Sequence, residues 1–81
     1  MKVKINIYLK EGVLDTQGKA IESAISKNLG FENVSNVRQG KSITLDINEA
    51  DQGKVKDVVD SLCDKFLVNK VMEDYDFELI A

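Results

Sequence analysis

The sequence predicts an α+β protein, a two-layer sandwich in which an antiparallel sheet is covered on one face by two helices. Polar and apolar residues alternate in several separate stretches, and two intervening stretches carry apolar residues at helical spacing. The resulting order is β-α-β(β)-α-β. Each predicted strand has a single apolar face, so one layer of helices is sufficient to cover the sheet. The chain of 81 residues is short enough to form a single domain, residues 1–81.

The first strand and the first helix have the clearest patterns. Lys2–Lys10 alternates strictly, which is typical of a half-buried strand. The first helix is predicted over Thr16–Leu29, where Asp15 is a suitable N-cap and Gly30 can adopt the left-handed conformation that often follows a helix. Its apolar stripe consists of Ala20, Ile21, Ala24, Ile25 and Leu29.

The middle of the chain allows two interpretations. A weaker strand pattern covers Val34–Gln39, and Lys41–Asn48 alternates again. Gly40 lies between them and is either a hairpin turn or a bulge in one long bent strand. The strands Lys2–Lys10 and Lys41–Asn48 are the candidates for the centre of the sheet.

A second helix and a last strand complete the pattern. The helix is predicted over Asp51–Val68, and Tyr75–Ala81 alternates as a strand. The helix has the apolar stripe Val55, Val58, Val59, Leu62, Cys63, Phe66 and Leu67.

Composition excludes several classes of function. The net charge of −3, with mixed signs along the chain, argues against a nucleic-acid-binding protein, which needs a concentrated basic face. No apolar run approaches the roughly 20 residues of a membrane span. The chain has no histidine and one cysteine, so it lacks Ser-His-Asp or Cys-His catalysis and the usual ligands of zinc or haem. The lone cysteine and the absence of an apolar leader predict a cytoplasmic protein.

The remaining reactive residues have ordinary structural explanations. Cys63 lies on the helical stripe and is interpreted as a core residue. Asp15 is interpreted as a helix cap, and the acidic residues Glu73, Asp74 and Asp76 as a solvated turn. The sequence Gly40-Lys41-Ser42 repeats only the end of a phosphate-binding loop and precedes a strand, whereas such loops precede a helix.

Three segments carry a family resemblance. They are Gly12-Val13-Leu14-Asp15-Thr16-Gln17-Gly18-Lys19, Val37-Arg38-Gln39-Gly40-Lys41 and Asn69-Lys70-Val71-Met72-Glu73-Asp74-Tyr75. In this order and spacing the chain resembles, from end to end, the PurS family, small subunits of phosphoribosylformylglycinamidine synthase. Thr16 and Lys70 stand where the family usually has proline. Proline is favoured but dispensable at the first position of a helix, so the cap at Asp15 is expected to survive.

The resemblance implies a non-catalytic subunit. In this family a PurQ glutaminase releases ammonia, and a PurL synthetase uses it with ATP to convert formylglycinamide ribonucleotide to formylglycinamidine ribonucleotide. PurS-like proteins form dimers that join these two subunits, so a homodimer or a higher homo-oligomer is expected. The chain itself is expected to bind no cofactor, whereas ATP and magnesium are expected in the PurL-like synthetase.

Apolar and cationic residues at turns are candidates for the contacts between subunits. Val13 and Leu14 precede a helix cap, where they can pack on their own helix as a hydrophobic staple or on another chain. The candidate contact residues are Val13, Leu14, Gln17, Arg38 and Lys41.

Two other functions fit the predicted topology. One is a small-molecule-binding regulatory domain of the ACT type, which would need a ligand pocket at a dimer interface. The other is an acylphosphatase-like enzyme, which would need an arginine in a loop near the start of the chain. Residues 10–18 contain no arginine, which argues against the enzyme.

Overall fold

The computed structural model describes residues 1–80 and confirms the α+β class. The elements are β1 (Lys2–Leu9), α1 (Thr16–Leu29), β2 (Gly40–Asp46), α2 (Gln52–Leu62) and β3 (Glu73–Ile80), with a π-helical turn, Cys63–Leu67, after α2. Neither α1 nor α2 is long and apolar enough to cross a bilayer, and the described part of the chain has no other candidate span.

The three strands form one antiparallel sheet in the order β2-β1-β3. Ile5 of β1 lies opposite Ile43 of β2 and Phe77 of β3, so apolar residues of all three strands share one face. The prediction that Lys2–Lys10 is central is confirmed. The prediction that Lys41–Asn48 is central is wrong, because β2 is an edge strand. The last strand begins at Glu73, two residues before the predicted start, and Ala81 lies outside the described residues.

The predicted strand Val34–Gln39 is absent from the structure. These residues pair with no strand, and two of their amides donate instead to carboxylates of α1 and of its N-cap. Asn36 has a φ of 56°, a left-handed conformation that interrupts extended backbone. Gly40 opens β2 opposite Tyr8, so it is neither a hairpin turn nor a bulge.

The core lies between β1 and α2. Val55, Val59 and Cys63 are fully buried against the apolar face of β1, whose Val3, Ile5 and Ile7 are also fully or almost fully buried. The helix predicted over Asp51–Val68 is shorter in the structure, because α2 ends at Leu62 and the chain continues in a wider turn. In that turn the Val68 amide donates to the Cys63 carbonyl, five residues back.

Helix α1 is formed as predicted but contributes nothing to this core. Its ends are confirmed, because Asp15 caps the first turn and Gly30 has a φ of 76°. No residue of α1 belongs to the core cluster of the described chain, and Gly18 is its only buried residue. The apolar stripe is therefore largely open to solvent, with Ile21 40% and Leu29 67% exposed.

Candidate subunit-contact site

The predicted contact residues gather where the start of α1 meets the segment before β2. We call this region the α1 junction and define it as residues 10–18 together with residues 36–41. All five candidates lie in it. Val13, Leu14 and Gln17 come from the first segment, and Arg38 and Lys41 from the second. Residues far apart in the sequence thus form one continuous surface.

Asp15 lies at the centre of the α1 junction and is 4% exposed. One carboxylate oxygen, Oδ1, accepts from the Gly18 amide at 2.7 Å, which is the expected N-cap bond. The other oxygen, Oδ2, accepts from the Gln39 amide at 2.6 Å. These backbone bonds, that from Gln39 above all, lower the pKa of the Asp15 carboxyl below its usual value. Asp15 is therefore a bridge between two segments as well as a cap.

Arg38 binds backbone carbonyls rather than a carboxylate. Its Nη1 donates to the Val13 carbonyl at 3.0 Å, and its Nη2 donates to the Lys10 carbonyl at 3.2 Å. These carbonyls flank the turn that contains Gly12, whose φ of 86° requires the left-handed conformation that glycine tolerates. The guanidinium group thus stabilises the turn, although the Arg38 side chain lies at the surface.

Leu14 is the apolar residue that the chain leaves uncovered. It is 68% exposed, although it directly precedes the cap Asp15. A staple would pair Leu14 with the fourth residue of α1, but that residue is Lys19. Leu14 lines a shallow groove of about 100 Å³ beside Arg38. Of the two interpretations of this residue, its exposure favours contact with another chain.

Gln17 and Lys41 line a second depression, a cleft of about 270 Å³. Lys41 Nζ lies 3.8 Å from Glu73 Oε2 across this cleft. The acidic residues Glu73, Asp74 and Asp76 do not form the predicted solvated turn, because all three lie in strand β3. Asp74 faces Lys10 at 3.8 Å, and Asp76 accepts from the Asn6 amide group at 2.8 Å. These carboxylates therefore make ordinary surface pairs with neighbouring side chains.

Sequence reasoning did not identify Glu22. Its Oε1 accepts from the Val37 amide at 3.1 Å, which gives α1 a second link to the segment before β2. The partners are 15 residues apart and Glu22 lies in the middle of a helix, where a glutamate is commonplace. No local pattern in the sequence distinguishes it.

A second polar cluster joins α2 to β3. Asp60 accepts from the Tyr75 hydroxyl at 2.8 Å and from Lys56 Nζ at 2.6 Å. The hydrogen bond to the Asp60 carboxylate raises the pKa of Tyr75 to about 12. This cluster is structural, because each member has a protein partner. Residues 1–80 contain no group of three or more His, Cys, Asp or Glu side chains placed to hold a metal ion.

Known proteins resemble this chain over nearly its whole length. The family described as PurS, phosphoribosylformylglycinamidine (FGAM) synthase, matches residues 2–81. The Bacillus subtilis subunit PurS is 40% identical over 78 residues, which are 96% of this chain and 90% of that protein. The crystal structure of Methanocaldococcus jannaschii PurS superimposes with a TM-score of 0.83 at 40% identity, covering 95% of this chain and 92% of that one.

A further match is a chain in the structure of PurLQS from Thermotoga maritima. It has a TM-score of 0.87 at 31% identity and covers 95% of this chain and 93% of that chain. Both the sequence matches and the structural matches extend over nearly the whole chain. The chain therefore belongs to the PurS family of phosphoribosylformylglycinamidine synthase subunits.

Proposed function

We propose that this chain is the small adaptor subunit of phosphoribosylformylglycinamidine synthase in purine biosynthesis. It joins a PurQ-like glutaminase to a PurL-like synthetase, so that ammonia released from glutamine is used for the ATP-dependent conversion of formylglycinamide ribonucleotide. The observation that carries this proposal is the match to a chain of Thermotoga maritima PurLQS at a TM-score of 0.87. That relative was solved in an assembly named for all three subunits.

The chemistry explains why such an adaptor is useful. Ammonia that escapes into water is protonated and is lost as a nucleophile, so the glutaminase and the synthetase must stay in contact. A subunit without chemistry of its own assists by adding interface area. In this proposal ATP and magnesium bind to the synthetase, and the present chain supplies only contacts. The proposal places the complex in the cytoplasm, where the buried free thiol of Cys63 stays reduced.

The α1 junction is the surface that we assign to the partner subunits. It combines the exposed apolar side chain of Leu14 with the polar groups of Gln17 and Lys41. Hydrogen bonds of Asp15 and Arg38 hold the backbone beneath these side chains. An apolar anchor with a polar rim on a fixed backbone is the usual anatomy of a specific interface.

Substitution of Leu14 tests this assignment. Leu14→Asp places a charge where the proposal needs an apolar contact, so we expect the affinity for the partner subunits to fall on the order of tenfold or more. The measurement is reconstitution with the glutaminase and the synthetase, followed by binding and by glutamine-dependent product formation. Phe66→Asp is the matched control, because Phe66 is 82% exposed and lies outside the α1 junction.

Addition of an ammonium salt distinguishes a loss of coupling between the subunits from a loss of catalysis by the synthetase. If the variant fails only to join the subunits, a high concentration of ammonium chloride restores product formation by the synthetase. Equal binding and equal glutamine-dependent activity for Leu14→Asp and the parent would contradict the assignment of the α1 junction. Failure of the parent chain itself to bind either subunit would contradict the adaptor function.

A second copy of the chain is the other partner in this proposal. The apolar stripe of α1 is largely exposed, and Val58 and Leu62 of α2 are 40% and 36% exposed. These apolar surfaces lie outside the core of a single chain, and the proposed homo-oligomer buries them.

A further inference from the structure

Helix α1 is attached to the rest of the chain in an unusual way. It contributes no residue to the core cluster of the described chain, so packing on the sheet does not determine its direction. Its side-chain links run instead to the segment before β2, from Glu22 to the Val37 amide and from the cap Asp15 to the Gln39 amide. The orientation of the helix therefore depends on polar contacts with the segment before β2.

We propose that Asp15 and Arg38 are positioning residues that fix the direction in which α1 leaves the sheet. Asp15 ties the first turn of the helix to Gln39, the residue directly before β2. Arg38 ties the same segment to the Lys10 carbonyl, directly after β1. Because β1 and β2 are paired neighbours in the sheet, both attachments fix the position of the helix relative to one rigid body.

The packing of Gly18 is independent evidence that this attachment is tight. A β-carbon built at Gly18 would lie 2.4 Å from the Val37 carbonyl oxygen and 2.8 Å from Asp15 Oδ2. The backbone of α1 thus approaches the opposing segment more closely than any side chain would allow. Contact at this distance leaves little room for the helix to pivot.

A fixed α1 has a consequence that rests on the proposed function. Leu14 and Gln17 lie at the start of α1, and the apolar stripe runs along the helix, so one orientation presents all of them together. Rigid presentation lowers the ordering cost of association and so strengthens binding without adding a contact. Asp15 and Arg38 would then support assembly without themselves touching a partner.

The substitution Asp15→Asn distinguishes the role of Asp15 as a helix cap from its role as a bridge to Gln39. Asparagine is as good an N-cap as aspartate, so α1 still forms. Its amide has only one acceptor oxygen, and so it cannot accept from the Gly18 and Gln39 amides on two separate oxygens. The matched control is Asp51→Asn at the N-cap of α2, where a single oxygen, Oδ1, accepts from both Gly53 and Lys54. The control keeps its cap and has no bridge to lose.

The experiment measures orientation and local protection by NMR on the full chain, with Ile21→Glu present in the parent and in every variant so that a second copy packed on the apolar stripe does not hold α1. In the parent, residual dipolar couplings of α1 and β1 should fit one alignment tensor. In Asp15→Asn we expect the Gln39 amide to exchange about tenfold faster or more, and α1 to require a tensor of its own. Asp51→Asn should behave as the parent. Should Asp15→Asn not fold, Arg38→Lys gives the same test, because one ammonium cannot hold the two carbonyls in the geometry of the guanidinium.

A single shared tensor in Asp15→Asn, with Gln39 exchanging faster, would overturn the proposal, because the bridge would then be local only. An unchanged exchange rate at Gln39 would also overturn it. These measurements need neither the glutaminase nor the synthetase. Failure of the chain to bind those subunits would therefore count against the proposed function and leave this inference standing.

Discussion

At the scale of single residues, two aspartates show what local sequence can and cannot predict. Asp15 and Asp51 precede helices, and each caps a first turn with a short hydrogen bond. Capping depends on residues two or three positions away, so it is visible in the sequence. The bond from the Gln39 amide to Asp15 spans 24 residues, and it appears only after the chain has folded. The part of the α1 junction that sequence reasoning missed is of this long-range kind.

The glycines in the first turns of the two helices should respond differently to alanine. Alanine normally stabilises a helix relative to glycine by up to about 1 kcal/mol. At Gly18 the new methyl group would lie 2.4 Å from a backbone carbonyl, so we expect Gly18→Ala to lower the free energy of unfolding by about 1–3 kcal/mol. At Gly53 the nearest atom is an oxygen of the exposed Asp51 side chain at 3.2 Å, and we expect Gly53→Ala to be neutral or stabilising.

Urea denaturation of the two variants and the parent gives the change in the free energy of unfolding for each substitution. The two variants make the same chemical change in the first turn of a helix. A Gly18→Ala variant at least as stable as Gly53→Ala would show that the junction is looser than the structure indicates.

At the scale of elements, hydrophobic periodicity predicted β1, α1, β2 and β3 close to their observed bounds. It failed where another interaction competed for the backbone. Residues 34–39 have a strand-like pattern, but the carboxylates of Asp15 and Glu22 accept from two of their amides and Asn36 breaks the extended conformation. Hydrophobic periodicity reflects only the polarity of the side chains. It therefore does not show which backbone groups already have hydrogen-bond partners.

The end of α2 shows a second limit of periodicity. The predicted stripe placed Phe66 and Leu67 in the core on a regular helix. The π-helical turn inserts one extra residue between successive turns, so Val68 lies in the core below Cys63 and is 7% exposed. Phe66 is displaced to the surface, where it is 82% exposed. A 3.6-residue period cannot anticipate a turn of different width.

This shift predicts that the smaller of two nearby apolar residues matters more for stability. Val68→Ala removes two methyl groups from the core and should lower the free energy of unfolding by about 1–3 kcal/mol. Phe66→Ser removes a larger side chain that lies in solvent, and should change the free energy of unfolding by only about 0.5 kcal/mol or less. Thermal and urea unfolding of both variants measures the difference. A larger loss for Phe66→Ser would mean that α2 continues as a regular helix to its predicted end.

At the scale of the whole molecule, the chain exposes more surface than a compact protein of its size. Its accessible surface is 5912 Å², whereas a compact monomer of 9.0 kDa is expected to expose about 4,800 Å². Its radius of gyration is 16.1 Å, against about 12 Å for a compact domain of this length. The excess surface is comparable with the roughly 800 Å² that each partner buries in a standard interface. The shape is therefore that of a subunit whose fold is completed by association.

Association with a second copy should make stability depend on concentration. Because self-association binds the folded chain and not the unfolded one, the melting temperature should rise with protein concentration. Ile21→Glu places a charge on the exposed stripe of α1, and should lower both the assembled fraction and this concentration dependence. Ser23→Glu is the matched control, because Ser23 is exposed and lies two residues away, on the opposite face of the helix. Light scattering and calorimetry over a hundredfold range of concentration, about 1 to 100 μM, measure both quantities. If Ile21→Glu and Ser23→Glu assemble equally well, the α1 stripe is not the surface between copies, and the excess area is covered by the glutaminase or the synthetase instead.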